Sequence, residues 1–297
     1  MALIARYPGA ACIFTCGGMA VSVAGDDAVR ALIQRSRPWN EAWIPGCVTV
    51  GKSPGRRVHL VCRIEPGRSH LPRAAFTARP PALCINGDVS LLTPEAFAEL
   101  MLSLFARFLQ RRGSFLVDGS VVRLRGEVVM LTSPAGADRS AAALQLARQG
   151  HEILATNRSL LSKDMRLLAG TTAFHAGKQG GRKLQASLTA DGPPVIMPLS
   201  RKYPAISRIV HLHLEESTSA PREIDRPKRK LVMSSNVVSR LAAGPAVVAP
   251  WGLFLPLVTT ALDVRRRHEA ILNMAALPQA SLYCRPEHLE VMLEKIS

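Results

Sequence analysis

The sequence predicts an α/β protein with two domains, a smaller α+β domain over residues 1–104 and an α/β domain over residues 105–297. Two patterns indicate this class. An apolar stretch at residues 128–132 leads through a short loop into an Ala- and Leu-rich stretch at residues 141–149, which is typical of a strand followed by a helix. Short strand-like segments separated by turn residues occupy residues 11–90. A chain of 297 residues is long enough for both domains to bury a core.

The N-terminal domain is expected to combine short strands with two helices. Four segments are apolar and bounded by turns, which favours strands; they are residues 20–24, 47–50, 58–64 and 82–85. A helix is expected from Asp26 and Asp27 to about Arg35, because carboxylates stabilise a helix N-terminus. A second helix is predicted from Pro94 to Arg111, with Thr93 as its N-cap.

Further strands, loops and helices are predicted after the strand–loop–helix at residues 128–149. The alternating residues 209–214 form a strand on which His211 and His213 point to one face. The sequence offers no matched third ligand, so we interpret these histidines as part of a polar sheet face and predict no metal site. Residues 217–230 are polar and contain proline, which favours a surface loop, and residues 259–273 are predicted to be a helix.

The loop at residues 133–140 has the position of a phosphate-binding loop but few of its residues. The functional motif reads G-x-x-x-x-G-K-[ST] between a strand and a helix. Ser133 and Asp138 stand at the two glycine positions and Arg139 at the lysine position, so that only Ser140 matches. A carboxylate at Asp138 would repel polyphosphate, although Asp is also a suitable N-cap. We therefore expect that the loop, which includes Gly136, no longer binds ATP productively.

The segments at 113–119, 128–140, 144–150 and 153–155 resemble the core of the HPr kinase/phosphorylase family. The stretch at 283–290 is similar to the closing strand and last helix of that family. The resemblance covers about residues 105–297 and implies a P-loop core of the phosphoenolpyruvate-carboxykinase type.

The functional residues of that family are mostly replaced. The acidic pair that serves metal and base roles falls on Thr156 and Asn157, and the histidine of the first motif falls near Arg112. Neither Thr156 nor Asn157 can act as a base near neutral pH, and both are poorer Mg²⁺ ligands than carboxylates. With Arg139 in place of the lysine, the resemblance implies a degenerate nucleotide site that keeps only the hydroxyl of Ser140.

A second stretch matches the phosphate-loop motif by chance. Residues 46–53 read G-C-V-T-V-G-K-S, but Cys47 to Val50 is typical of a strand and no helix follows Ser53. We predict a hairpin at this place.

The net charge of +16 suggests an anionic partner. Basic residues cluster at 226–230 and 265–268, with a looser group at 178–183. The candidate partner-binding residues are Lys228, Arg229, Lys230, Arg265, Arg266 and Arg267. A solvated basic surface is the alternative interpretation. Aromatic residues make up only 5% of the chain, which gives little support to a stacking surface for nucleic acid.

The remaining composition argues against export. The first twenty residues do not resemble a secretory signal, and the chain has no apolar run long enough to span a membrane. The six cysteines lie mostly in apolar, strand-like segments and are expected to be buried, reduced thiols. We therefore expect a cytoplasmic protein that does not bind membranes.

Two functional hypotheses follow, with nucleic-acid binding as a lesser alternative. In the first, the protein is a binding or accessory component that recognises an anionic small molecule, peptide or protein. In the second, it is a kinase that uses ATP and Mg²⁺, with Asp118 or Asp164 replacing the lost carboxylates. The sequence does not identify a substrate, and it leaves a homo-oligomer open.

Overall fold

The computed structural model describes residues 10–50, 58–67, 72–78, 81–133, 137–171, 204–214, 220–233, 247–248, 253–254 and 260–296. The chain forms two compact units, of which the first comprises Met1–Arg112 and Ala243–Asp263 and the second Gly113–Ala242 and Val264–Ser297. Strands and helices are numbered below in chain order. Residue 104, where we placed the domain boundary, lies inside a helix of the first unit.

The first unit contains a six-stranded mixed sheet. Its strands are β1 (Ala10–Cys16), β2 (Met19–Ala24), β3 (Val48–Val50), β4 (Leu60–Pro66), β5 (Arg73–Ala78) and β6 (Pro81–Gly87). Their order across the sheet is β3-β1-β2-β4-β6-β5. All four predicted strand segments are confirmed by β2, β3, β4 and β6. The strand prediction for the chance motif at 46–53 is confirmed at Val48–Val50, and residues 51–53 lie outside the described residues. The hairpin predicted there was wrong, because β3 pairs with β1 while the next strand, β4, pairs with β2.

Two helices in this unit begin at the predicted caps. Helix α1 (Asp27–Trp43) is capped by Asp26, which accepts a hydrogen bond from the Val29 amide at 3.0 Å. Helix α2 (Pro94–Gln110) is capped by Thr93, which accepts from the Ala96 amide at 3.2 Å.

The prediction that α1 ends near Arg35 was wrong. The helix continues through Pro38 to Trp43. Leu32, Ser36 and Asn40 are spaced four residues apart, and all three are buried, so the inward face of the helix extends past the proline. The burial of this face outweighs the single backbone hydrogen bond that Pro38 cannot make.

The second unit contains two sheets. Strands β8 (Ser120–Leu124), β9 (Glu127–Thr132), β10 (Glu152–Ala155), β13 (Arg208–Leu214), β14 (Arg222–Glu223) and β17 (Gln279–Cys284) form the larger one. Its order is β10-β8-β9-β13-β17-β14. Strands β7 (Ser114–Asp118), β11 (Arg158–Ser162) and β12 (Leu167–Gly170) form a smaller sheet with the order β12-β11-β7. The short pair β15 (Val247–Val248) and β16 (Leu253–Phe254) belongs to the first unit.

Four helices complete the described part of the chain. They are α3 (Ala137–Arg148), α4 (Arg226–Met233), α5 (Ala261–Ala276) and α6 (Leu289–Glu294). Val129 and Leu131 of β9 pack in one core with residues of α3 and α6. Val128 and Met130 point to the opposite core, which includes residues of the smaller sheet and of α5. This layered arrangement confirms the predicted α/β class. Among the described residues, no helix is long and apolar enough to cross a membrane.

Two predictions for the later part of the chain had different outcomes. The helix expected at 259–273 is confirmed by α5. The surface loop or linker expected at 217–230 was wrong for residues 220–230, because β14 pairs with β17 and α4 begins at Arg226; residues 217–219 lie outside the described residues. The Arg229 guanidinium stabilises this segment by donating to the carbonyl of Ile224 at 2.8 Å and to that of Leu277 at 3.1 Å.

Candidate functional site

The predicted strand–loop–helix is confirmed at the carboxyl edge of the larger sheet. Strand β9 ends at Thr132, and α3 begins at Ala137. Strands β9, β13 and β17 run parallel, so their carboxyl ends lie at the same edge. Ligands of open α/β sheets bind at this edge. Gly136 and the side chain of Asp138 lie outside the described residues.

Arg139 and Ser140 lie in the first turn of α3 and are buried, with 5% and 3% of their surfaces exposed. The Arg139 guanidinium donates from Nη2 to Oδ1 of Asn157 at 3.5 Å, which is long for a hydrogen bond. The Ser120 hydroxyl lies 3.2 Å from the Arg139 carbonyl and 2.6 Å from that of Thr156. The structure therefore brings Arg139 close to Thr156 and Asn157, the residues where the family resemblance places the acidic pair. The Ser120 hydroxyl contacts both Arg139 and Thr156.

Thr156 and Asn157 belong to a neutral hydrogen-bond network centred on Thr171. The Thr156 hydroxyl lies 3.0 Å from the Thr171 carbonyl. The Thr171 hydroxyl oxygen accepts from the backbone amides of Asn157 and Arg158, at 3.0 Å and 2.9 Å. This donor set is a poor fit for Mg²⁺, which prefers carboxylate oxygens and a shell of water. The sequence analysis missed Ser120 and Thr171, because isolated hydroxyl residues carry no motif.

Neither candidate carboxylate from the sequence analysis lies at the acidic-pair positions. Asp118 forms an ion pair with Arg158 at 2.8 Å, in which both side chains are 14% exposed. Asp164 is exposed in the turn that follows β11, whereas Asn157 directly precedes β11. A five-residue strand spans about 17 Å, so β11 separates Asp164 from Asn157 by most of its length.

His211 lies opposite Thr132 in the parallel pair of β13 and β9. Its Nδ1 is 2.8 Å from the Thr132 hydroxyl, and its Nε2 is 3.0 Å from Oε1 of Gln279. Burial holds the pKa of His211 below its ordinary value; the hydrogen bond to Oε1 of Gln279 opposes this shift, and the nearby His213 adds to it. His213 stacks on Tyr283 with 4.3 Å between ring centres. Among the described residues, no three His, Cys, Asp or Glu side chains are grouped as metal ligands would be.

The two basic clusters lie at opposite ends of α5. Arg265, Arg266 and Arg267 are in its N-terminal half, while Arg229 contacts Leu277, just beyond its C-terminus. Residue 267 and residue 277 are separated by about 15 Å of helical rise. The looser group at 178–183 lies outside the described residues.

The six partner-binding candidates differ in how accessible they are. Lys228 and Arg265 are exposed and pair with Asp225 and Glu269 on their own segments. Such surface pairs contribute little and leave the charge available to a ligand. Lys230 is also exposed, and Arg266 and Arg267 are half-buried. The guanidinium of Arg229 is occupied by backbone carbonyls, so its role is at least partly structural.

The cysteines are free thiols, as predicted, and all of them except the half-buried Cys84 are buried. Burial raises the pKa of Cys62 to about 12 and that of Cys284 to about 11. Both groups are therefore protonated and unreactive near neutral pH.

Comparison with known proteins does not assign the chain to a family. No family model matches it. No curated protein matches it significantly.

Proposed function

We propose that the protein is a degenerate HPr-kinase-like binding or accessory component, which recognises an anionic ligand and does not turn over ATP. The ligand would be a small anion, an anionic peptide or a partner protein. The position of the loop between β9 and α3, at the carboxyl edge of a partly parallel sheet, supports the resemblance in the core fold.

The neutral network around Thr156 and Asn157 carries this proposal. Phosphoryl transfer with a metal-bound nucleotide needs carboxylates that hold Mg²⁺ and accept the proton of the attacking hydroxyl. Thr156 and Asn157 instead share their polar groups with Thr171 and Arg139. Asp118 is already paired with Arg158, so its carboxylate is not positioned to accept the proton of a substrate hydroxyl.

The first turn of α3 contains Asp138, whose carboxylate opposes an anion, but the rest of the turn offers an anion favourable partners. The N-terminus of a helix attracts negative charge through its free amide groups and its dipole. Arg139 adds a guanidinium, which binds phosphate-like groups through two parallel donors, and Ser140 adds a hydroxyl in the same turn. The hydrogen bond from Arg139 to Asn157 is long, and an anion would offer the guanidinium a stronger, charge-assisted acceptor than the Asn157 amide oxygen.

Isothermal titration calorimetry tests this proposal with ATP–Mg²⁺ and with pyrophosphate. We expect ATP–Mg²⁺ to bind with a Kd of about 1 mM or weaker, and pyrophosphate to bind more tightly. Arg139→Met should weaken pyrophosphate binding at least about tenfold, since a charge-assisted hydrogen bond is lost. Arg148→Met, at the exposed end of the same helix, is the matched control and should change the Kd little. A low-micromolar Kd for ATP–Mg²⁺ would contradict the proposal.

The kinase remains the second candidate, because Ser140 and a positive charge at Arg139 are kept at the start of α3. In that case Asp118 would have to leave Arg158 in order to act as the base. The calorimetry above distinguishes the two candidates, since a kinase must bind ATP–Mg²⁺ productively.

The basic clusters, in which Lys228, Lys230 and Arg265 are exposed, offer a second place for an anionic partner. We expect the affinity for a macromolecular anion, with heparin as the probe, to fall as salt rises, because exposed charges are screened within about 10 Å at 0.1 M. Reversing Arg265, Arg266 and Arg267 to Glu should weaken this binding by more than tenfold, on the order of 0.5 kcal/mol or more for each charge. Circular dichroism confirms folding, and pyrophosphate binding serves as the internal control. If the affinity for heparin changes neither with salt nor with the triple substitution, these three arginines do not bind the anionic partner.

A further inference from the structure

Two cysteines face each other at one end of the sheet in the first unit. Strands β1 and β3 are antiparallel, and Thr15 lies opposite Val48. The next pair in this register is Cys16 and Cys47, and side chains of directly opposed residues lie on the same face of a sheet. Such residues have Cα atoms about 4.5–5.5 Å apart. This separation lies within the range of about 4.4–6.8 Å that a disulfide bridges.

The contacts of Cys16 support this placement. Its thiol donates to the carbonyl of Pro45 at 3.1 Å, so the side chain points to the segment that carries Cys47. Burial raises the pKa of Cys16 far above its ordinary value, and the nearby Cys47 raises it further. The two thiols are therefore close to each other in the reduced protein.

A cavity gives small molecules access to the two thiols. It has a volume of about 340 Å³ and is partly open to solvent, and its lining includes Cys16 and Gly46, the residue before Cys47. Cys47 is 8% exposed, whereas Cys16 is 1% exposed. An oxidant as small as hydrogen peroxide can therefore enter, and it meets Cys47 more readily than Cys16.

A second pair of neighbouring thiols in this unit lacks the required geometry. Cys62 of β4 lies opposite Leu83, and Cys84 of β6 lies opposite Arg63. Because side chains alternate along a strand, Cys62 and Cys84 point to opposite faces of the sheet. They are near enough for Cys84 to add to the burial that raises the pKa of Cys62, yet they cannot be joined. This pair is an internal control for oxidation that proximity alone would cause.

We propose that Cys16 and Cys47 form a reversible cross-strand disulfide when the protein meets a peroxide. Peroxide first oxidises the Cys47 thiol to a sulfenic acid and releases one water. The Cys16 sulfur then attacks the Cys47 sulfur, the S–O bond breaks, and the oxygen leaves as a second water with the Cys16 proton. Two thiols thus lose two hydrogen atoms, and one peroxide gives two waters. This inference concerns the first unit and does not depend on the proposed function.

The disulfide is expected to hold the edge strand β3 against β1. Strand β3 is only three residues long and has a neighbour on one side, so its pairing opens easily in the reduced protein. Oxidation should slow hydrogen exchange of the β3 amides by about tenfold or more. The amides of β5, at the opposite edge of the same sheet, are the control and should be unchanged.

Mass spectrometry of the folded, peroxide-treated protein tests the inference. We expect a loss of about 2 Da that dithiothreitol reverses, and a tryptic cross-link between the peptides of Cys16 and Cys47. The reaction should speed up as the pH rises, because the thiolate is the attacking species. Cys16→Ser and Cys47→Ser should abolish the cross-link. Cys12→Ser is the matched control on the same strand; it should keep the cross-link, and it identifies the sulfur because Cys12 and Cys16 share one tryptic peptide.

Three results would overturn the inference. The first is that both thiols stay free in peroxide while circular dichroism shows a folded protein. The second is a cross-link through Cys12, or one between Cys62 and Cys84. The third is a Cys16–Cys47 cross-link that forms only after urea has unfolded the chain. If a serine variant fails to fold, the cross-link in the native sequence and its effect on β3 exchange still decide the question.

Discussion

Replacing Thr171 with Val is expected to destabilise the second unit by about 3 kcal/mol, because two backbone amides lose their shared acceptor. The amides of Asn157 and Arg158 both donate to the Thr171 hydroxyl oxygen, which is 1% exposed. Valine has nearly the same shape but cannot accept, and each unsatisfied buried amide costs about 1–3 kcal/mol. Denaturant unfolding followed by circular dichroism measures the loss.

Thr171→Ser is the matched control for this change. It keeps the accepting oxygen and removes only a methyl group, so it should cost no more than about 1 kcal/mol. The same variants should differ in function. With Asn157 no longer held, its contact with Arg139 changes, and Thr171→Val should bind pyrophosphate more weakly than Thr171→Ser. Equal stabilities of the Val and Ser variants would show that the hydroxyl of Thr171 does not hold the Asn157 segment.

Replacing Gly170 with Ala is expected to cost a similar amount, about 3 kcal/mol, for a steric reason. A Cβ atom on Gly170 would lie 2.6 Å from Cβ and 2.8 Å from Cα of Ala155, and closer still to the carbonyl oxygen of Leu154. These atoms belong to β10, which directly precedes Thr156, so the strand would have to move and carry the site with it. Thermal unfolding and pyrophosphate titration measure the two effects.

Gly126→Ala separates this steric effect from the loss of glycine itself. Gly126 has a φ of +88°, and an added Cβ there would meet nothing within 4 Å. Its substitution should cost only about 1 kcal/mol of backbone strain and leave pyrophosphate binding unchanged. If Gly170→Ala were no more destabilising than Gly126→Ala, then the close approach of β12 to β10 would not be a constraint on the site.

The strand–loop–helix could be predicted from sequence because its signals are local. Residues 128–132 are uniformly apolar, and the Ala- and Leu-rich residues follow within one short loop. The caps Asp26 and Thr93 are also local signals, and each bonds the amide three residues later. Local signals predicted the wrong end for α1. Tertiary packing determines where this helix ends, because its buried face continues past Pro38.

The site network could not be predicted, because its members are distant in the chain. Ser120 and Thr156 are 36 residues apart, and Thr132 and His211 are 79 residues apart. Only the pairing of the strands brings them together. Thr156 and Asn157 were found through the family resemblance, whereas the contacts of His211 with Thr132 and Gln279 could be recognised only in the structure.

The effect of Mg²⁺ on pyrophosphate binding tests the central claim most directly, namely that Thr156 and Asn157 form a neutral network that cannot hold a metal ion. We expect Mg²⁺ to raise the Kd for pyrophosphate, because the ion neutralises the ligand and finds no carboxylate at Thr156 and Asn157. Arg139→Met should remove most of the affinity that remains without metal. A Kd that falls several-fold when Mg²⁺ is added would contradict the account, since it would mean that the protein still holds the metal and the phosphates together.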